Sequence, residues 1–301
     1  MKQKLHLQES TKGHIYVLIA TILIAGSFQA SANLAGSVDS ISLTLYRFVL
    51  ALLILLPFII YKKSRILNSI KIFPKATIVS LFYSLYFIGM FKALETTTPL
   101  NSGALYTLTP LMTAILCIFI FKEKIPTKQL LVYIIGIIST SIVIFRADFE
   151  LFLNLKLNNG DIIFLLASLS MAFYPIFLKL LYSKDDEVLV TVFSTLLGGI
   201  IWMFLAIEIL GISYDWHKIQ GDMFYSMLYL VIATTIFTLF LYQKSSQILG
   251  PKKLMAYIYL SPAFVALISY LSKGITISFG VIVGISISLL ATIIILKEDK
   301  I

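Results

Sequence analysis

Apolar residues run through this chain in blocks of about twenty, the length of helix needed to cross a hydrocarbon core about 30 Å thick. The blocks fall at 14–35, 41–61, 75–95, 99–121 and 127–145, then at 160–181, 188–211, 222–243, 251–271 and 275–296. Short polar clusters separate them, and the longest, near 62–74 and 146–159, are too small to be domains. The pattern predicts an all-α integral membrane protein with ten transmembrane helices. A cleaved signal peptide over residues 1–34 is an alternative, with its basic start, apolar centre and the small-residue stretch "QASANLA". It would leave nine helices.

The basic residues give the helices a direction, because Lys and Arg accumulate in cytoplasmic loops. With the N-terminus inside, the inner segments carry Lys2, Lys4 and Lys12; Lys62, Lys63, Arg65, Lys71 and Lys75; Lys122, Lys124 and Lys128. Further along they carry Lys179 and Lys184; Lys244, Lys252 and Lys253; Lys297 and Lys300. The outer segments carry only Arg146, Lys156, Lys218 and Lys273, with Arg47 and Lys92 inside helices. Eighteen against four predicts that both termini are cytoplasmic.

The two halves resemble each other. "KALETTTPLNSGALYTLTPLMTA" from Lys92 aligns without a gap on "KSSQILGPKKLMAYIYLSPAFVA" from Lys244. Lys92, Pro99, Ala104, Leu108, Pro110 and Ala114 match Lys244, Pro251, Ala256, Leu260, Pro262 and Ala266. "GHIYVLIA" at Gly13 similarly echoes "GDIIFLLA" at Gly160. Five helices is an odd number, so the copies, 1–148 and 149–301, are expected to be inverted repeats. The charges agree with inversion, since Lys252 and Lys253 stand where the first copy has Leu100 and Asn101. Pro110 and Pro262 lie about 16 Å along their helices from Pro99 and Pro251, half a bilayer. Each removes a backbone hydrogen bond there and is expected to kink its helix, freeing carbonyls near Tyr106 and Ile258. A role in packing alone is the other reading of these prolines.

Composition narrows the function. The chain has 301 residues, 59% of them apolar and 13% charged, so a water-facing polar surface cannot be assembled. The formal charge of +9 resides in topology-setting loops rather than in a phosphate-tracking patch, which argues against nucleic-acid binding. A single cysteine, Cys117, excludes a disulfide framework. The three histidines form no ligand set, and neither a phosphate-binding loop nor a zinc-protease motif is present. No catalytic residue, metal or cofactor is therefore expected.

The ordered motif "LTPLMTAILCIFIFKEKIPTKQLLVYIIGI", with Pro110, Glu123 and Gly136, resembles the ten-helix EamA-like branch of the drug/metabolite transporter superfamily. The second copy keeps Pro262 and Gly284 but has Lys273-Gly274 where the acidic residue is expected. The resemblance spans nearly the whole chain. It implies a multi-pass carrier of the cell (inner) membrane with a central cavity, exporting amino acids or related metabolites. A lipid or lipid-precursor translocase, or an enzyme or sensor on this scaffold, are the competing classes.

Polar residues within the spans are the candidates for the cavity. They are Gln29, Arg47, Tyr83, Tyr86, Tyr106, Thr109, Tyr174, Thr238, Tyr242, Tyr257 and Tyr259, with Pro110 and Pro262 as hinges. Arg47 is deep enough to need a partner or a wet cavity. Tyrosine joins an apolar face to a hydroxyl, which suits a small amphipathic solute, although tyrosines near the interface also serve as anchors. Lys92 and Glu95 are expected to pair at a helix end, and Glu95 or Glu208 are possible sites of proton coupling. Gly280, Gly284 and Ser288 form a close-approach face for packing within the bundle or for a homodimer.

Overall fold

The computed structural model describes residues 2–153, 157–183, 185–274 and 276–297. Lys156, Lys184 and Lys300 of the charge pattern lie outside them. All regular structure among the described residues is helical. The first half comprises α1 (Lys2–Leu34), α2 (Ser40–Ile60), α3 (Lys63–Leu94), α4 (Pro99–Tyr106), α5 (Thr109–Phe121) and α6 (Thr127–Ile144). A short α7 (Phe149–Leu153) joins the halves. The second half comprises α8 (Asn159–Leu181), α9 (Val188–Leu210), α10 (Asp222–Val231), α11 (Thr238–Leu249), α12 (Pro251–Ala256), α13 (Ser261–Lys273) and α14 (Phe279–Lys297).

Among the described residues nine helical stretches are long and apolar enough to cross a membrane. The run expected at 251–271 is present but divided, as α12, a 3-10 turn over Tyr257–Leu260, and α13. The expected 62–74 connection is instead helical, because α3 runs unbroken through Pro74. The carbonyl orphaned by that proline belongs to Ile70, which is exposed. Caps fix several starts. Asp39 accepts the Ile41 amide before α2 at 2.8 Å, Thr98 accepts the Asn101 amide before α4 at 3.1 Å, and Asn158 with Asp161 forms a capping box on α8.

The halves interlock. α3 packs most extensively on α8 and α9, α1 packs on α10 and α11, α2 packs on α9, and α6 packs on α14. Exchanging each helix for its counterpart in the other half leaves this scheme nearly unchanged. Close approach at the last pair comes from Gly284, whose missing side chain leaves room for Val143 and the Ser139 carbonyl. The glycine face of α14 is thus used within the bundle. Large apolar side chains such as Leu53, Phe58, Phe119 and Ile209 point outward, the arrangement for which lipid is the solvent.

Candidate functional site

Two helices break where the sequence places its paired prolines. α4 ends at Tyr106, and α5 restarts with Pro110 in its first turn. α12 gives way to the 3-10 turn, and α13 restarts with Pro262 in its first turn. The residues just before the two restarts, Leu108 and Leu260, have nearly the same backbone angles, φ −75° and −87°. A proline has no N–H to continue the ladder, and its ring clashes with the carbonyl four residues back, so the break precedes it.

These breaks adjoin two cavities. The smaller, about 30 Å³, is lined by Ile24, Ser27, Arg47, Tyr83, Tyr86, Phe87, Tyr106, Met171, Tyr174, Thr234, Thr238, Leu239 and Tyr242. The larger, about 590 Å³, lies among α1, α4, α6, α13 and the start of α14, with Gln29, Thr107, Arg146, Ser261, Pro262 and Ser278 in its wall. Tyr106 lines both, so its ring divides them. That ring is held edge-on by Phe28 at 5.8 Å and tilted against Tyr86 at 5.8 Å.

Seven of the candidates therefore meet at the smaller cavity: Arg47, Tyr83, Tyr86, Tyr106, Tyr174, Thr238 and Tyr242. Gln29 and Pro262 belong to the larger one. Four lie elsewhere. Thr109 and Pro110 are buried in the wall of α5. Tyr257 faces α1, its hydroxyl 2.8 Å from His14 Nδ1. Tyr259 is wholly buried, donating to the Tyr133 carbonyl at 3.0 Å, with its ring filling the space that Gly136 leaves. Side-chain type does not separate Tyr259 from Tyr106. The rotation of each segment does.

The aromatic residues form a connected wall. Tyr83 stacks on Phe48 at 5.6 Å, meets Phe87 edge-on at 4.8 Å and tilts against Tyr174 at 5.0 Å. Arg47 is fully buried at its edge. Its Nε donates to Thr235 Oγ1 at 2.5 Å, and one Nη donates to the Thr234 carbonyl and hydroxyl at 3.0 and 2.9 Å. The guanidinium lies 4.1 Å from the Phe87 ring centroid, a favourable cation–π geometry. Thr234 and Thr235 sit in a π-helical turn, Ile232–Phe237, between α10 and α11. Sequence reasoning passed over this pair. The signal was present as two adjacent hydroxyls in an apolar run.

The two ends of the bundle differ. At the end carrying Lys62, Lys122 and Lys252, Glu123 pairs with Lys252 at 2.7 Å and with Lys179 at 3.5 Å. Lys179 also lies over Phe121 at 4.1 Å. The carboxylate thus ties the end of α5 to α8 and α12. Burial pushes the Glu123 carboxyl up, but its contact with Lys252 and the charges of Lys252 and Lys179 outweigh that and hold it below the ordinary value. A depressed carboxylate contributes its stabilisation above its unfolded pKa, and that contribution is lost as pH falls through the depressed value. The clamp is therefore intact at neutral pH.

A polar layer beneath it closes the same end: Thr191 and Thr195 bond Gln243 at 2.5 and 3.2 Å, and Tyr182 meets Thr195 at 3.0 Å. At the opposite end the large cavity lies among the last turn of α6 and the first of α14. Buried Asp161 there accepts from Thr97 and Asn101 and caps its own helix. Lys92 and Glu95 pair at 2.7 Å on the surface, and exposed Glu208 accepts from the Tyr214 hydroxyl at 2.9 Å. Neither Glu95 nor Glu208 lines either of these two cavities.

Comparison with known proteins agrees with this architecture. The EamA-like transporter family matches the chain twice, over residues 11–145 and 158–297. The chain is 23% identical over 265 residues to an uncharacterized transporter, YyaM, of Bacillus subtilis (strain 168), covering 85% of each. A protein known from a crystal structure superposes on 96% of this chain and 97% of its own, with a TM-score of 0.69 at 15% identity, a likeness of fold. With two copies of the family's repeat over broken, proline-restarted helices, the chain belongs to the EamA-like transporter family, membrane-spanning transporters of small molecules.

Proposed function

We propose that this protein is a secondary carrier of the cell membrane that exports a small amphipathic metabolite, an amino acid or a related compound. It works by alternating access between two inverted five-helix repeats, residues 1–148 and 149–301, with ten spans and both termini in the cytoplasm. The basic end is then cytoplasmic and the large cavity faces outward. The observation that carries this reading is the asymmetry of the ends: a solute-sized cavity reaches from one side to Tyr106, while Glu123, Lys179 and Lys252 clamp the other. Pockets of about 300–1,000 Å³ are the size that holds small ligands.

In this mechanism α4 and α12 swing about their breaks, and Tyr106, the last residue of α4, moves with its segment. Releasing the Glu123 clamp opens the cytoplasmic side, while α4 and α13 close over the large cavity. Counterflow in proteoliposomes, screened with amino acids and amines with and without a pH gradient, tests the reading. Saturable exchange of one solute class is expected, and no movement of any solute would overturn it.

Two predictions follow from the moving parts. The clamp pairs are partly exposed, so Glu123→Gln should weaken closure by about 0.5–1 kcal/mol, a two- to fivefold population shift. Cys117 reports this directly: it is buried in α5, one turn beyond Ala114, which packs with Ala256 and Tyr259. Maleimide labelling of Cys117 should accelerate by about the same factor, and an unchanged rate would remove Glu123 from the gate. Separately, Pro110→Ala and Pro262→Ala restore an N–H at each break and favour a continuous helix. Turnover should fall about fivefold, the effect of about 1 kcal/mol on an opening barrier, with the melting temperature little changed. Lost folding with normal turnover per folded molecule would assign the prolines to packing.

A further inference from the structure

The small cavity contains one charge, and no other charge in the described protein answers it. Arg47 is fully buried. Three of its contacts are to neutral oxygens of Thr234 and Thr235, one is to the Phe87 ring, and its Nη1 has no hydrogen-bond partner. The ion pairs of Arg65, Lys92, Lys179, Lys218 and Lys252 all lie elsewhere. Asp161, a buried acid outside these pairs, is already held by Thr97, Asn101 and the Asn158 amide. A guanidinium taken out of water is costly unless a charge meets it, and neutral acceptors compensate only in part.

The backbone around Arg47 is built for this residue. Thr235 Oγ1 donates to the Leu230 carbonyl five residues back at 2.8 Å and so offers its lone pair to Arg47. Thr234 Oγ1 also donates to Leu230, at 3.1 Å. π-helical turns of this kind recur at functional sites, where they re-aim side chains. Here the turn orients the guanidinium of a residue that lines the cavity, and leaves one of its nitrogens without a hydrogen-bond partner.

We propose that Arg47 receives the carboxylate of the transported solute, and that the solute is a monocarboxylate with an apolar or aromatic body whose recognition requires no ammonium group. This narrows the carrier reading above and rests on it. The small cavity has room for about two waters, enough for a carboxylate that displaces them. The body extends past Tyr106 into the larger, mainly apolar space. An α-ammonium would find no carboxylate among the residues lining either cavity, and Arg47 would repel it. Arginine suits the role because its forked, permanently charged donors match a carboxylate.

The test compares matched solutes on the purified wild-type protein by thermal shift and by competition in counterflow. The probes are 3-phenylpropionate, its amide, phenylalanine, 2-phenylethylamine, 4-methyl-2-oxopentanoate, acetate and chloride. The acids with an apolar body should bind, and the amide should bind about ten- to a hundredfold more weakly, the range for loss of a charged hydrogen-bonded contact. Phenylalanine should bind no better than phenylpropionate. R47Q should abolish the preference for acid over amide, and R47K should keep part of it. Should R47Q fail to fold, the wild-type acid–amide comparison decides alone.

The proposal is overturned if the amide or amine equals the acid, if R47Q keeps the preference, if chloride stabilises as well as the acids, or if no acid binds. Acid binding through Arg47 without transport would leave the anion site standing and remove the carrier reading. Transport of amines or amides alone would do the reverse.

Discussion

Arg47→Met is expected to leave the protein at least as stable as the wild type while abolishing transport. The variant removes a buried cation but orphans no donor, because each group that holds Arg47 has a second bond. The Thr234 carbonyl still accepts from Thr238 Oγ1 at 2.6 Å, and the hydroxyls of Thr234 and Thr235 still donate to Leu230. Replacing buried charged groups by apolar ones of similar volume is often neutral or stabilising by about 1–4 kcal/mol. Loss of the contact with Phe87 subtracts about 0.5–2 kcal/mol. The net expectation is a melting temperature unchanged or raised in detergent, no further rise on adding acid solutes, and counterflow reduced about a hundredfold or more, as for a charged anchor. A marked fall in stability would make Arg47 a structural residue.

The second large effect concerns the seam between the halves. Gly160→Val should prevent the protein from folding. A Cβ at Gly160 would lie 2.6 Å from the Ala93 carbonyl and 3.0 Å from the Thr97 amide, backbone atoms that cannot turn aside, as well as 2.5 Å from Thr96 Oγ1. Moving α8 away would also strip Asp161 of Thr97 and Asn101. Overpacking costs about 1–3 kcal/mol, and leaving a buried carboxylate without its partners about 3–5 kcal/mol more. Size-exclusion profiles of the detergent-extracted variant should show aggregate in place of a single peak. The counterpart in the first repeat, Gly13, meets only side-chain carbons of Ile248 and Leu249 at 3.0 Å. Gly13→Val should therefore be tolerated far better, because those ends can shift. Equal damage at both glycines would refute the distinction.

These two glycines also show how far the sequence can be read. "GHIYVLIA" and "GDIIFLLA" mark equivalent positions, but nothing in either string says that one abuts backbone and the other flexible side chains. The kinks are different. Proline can break a helix by removing a donor within its own segment, a local cause, and both breaks occur beside Pro110 and Pro262. Pro74 stands in α3 without breaking it, as do Pro57 in α2 and Pro175 in α8, so a proline does not by itself end a helix. Arg47 was legible as a charge too deep to reach water. Its holders were not, because Thr234 and Thr235 lie 187 and 188 residues away.

By itself, then, the sequence determined the helical class, the repeat with its paired prolines, and the polar residues from which a cavity could be built. Each follows from short-range physics: the length of apolar runs, the missing N–H of proline, and the cost of charge in hydrocarbon. The tertiary structure decided which tyrosines face the cavity, which end is clamped, and that Arg47 has no carboxylate opposite it among the described residues. Those outcomes depend on the rotation of each helix against neighbours far along the chain. A set of apolar helices with tyrosines at similar depths carries little local information about that rotation, and close packing at positions such as Gly136 and Gly160 supplies it.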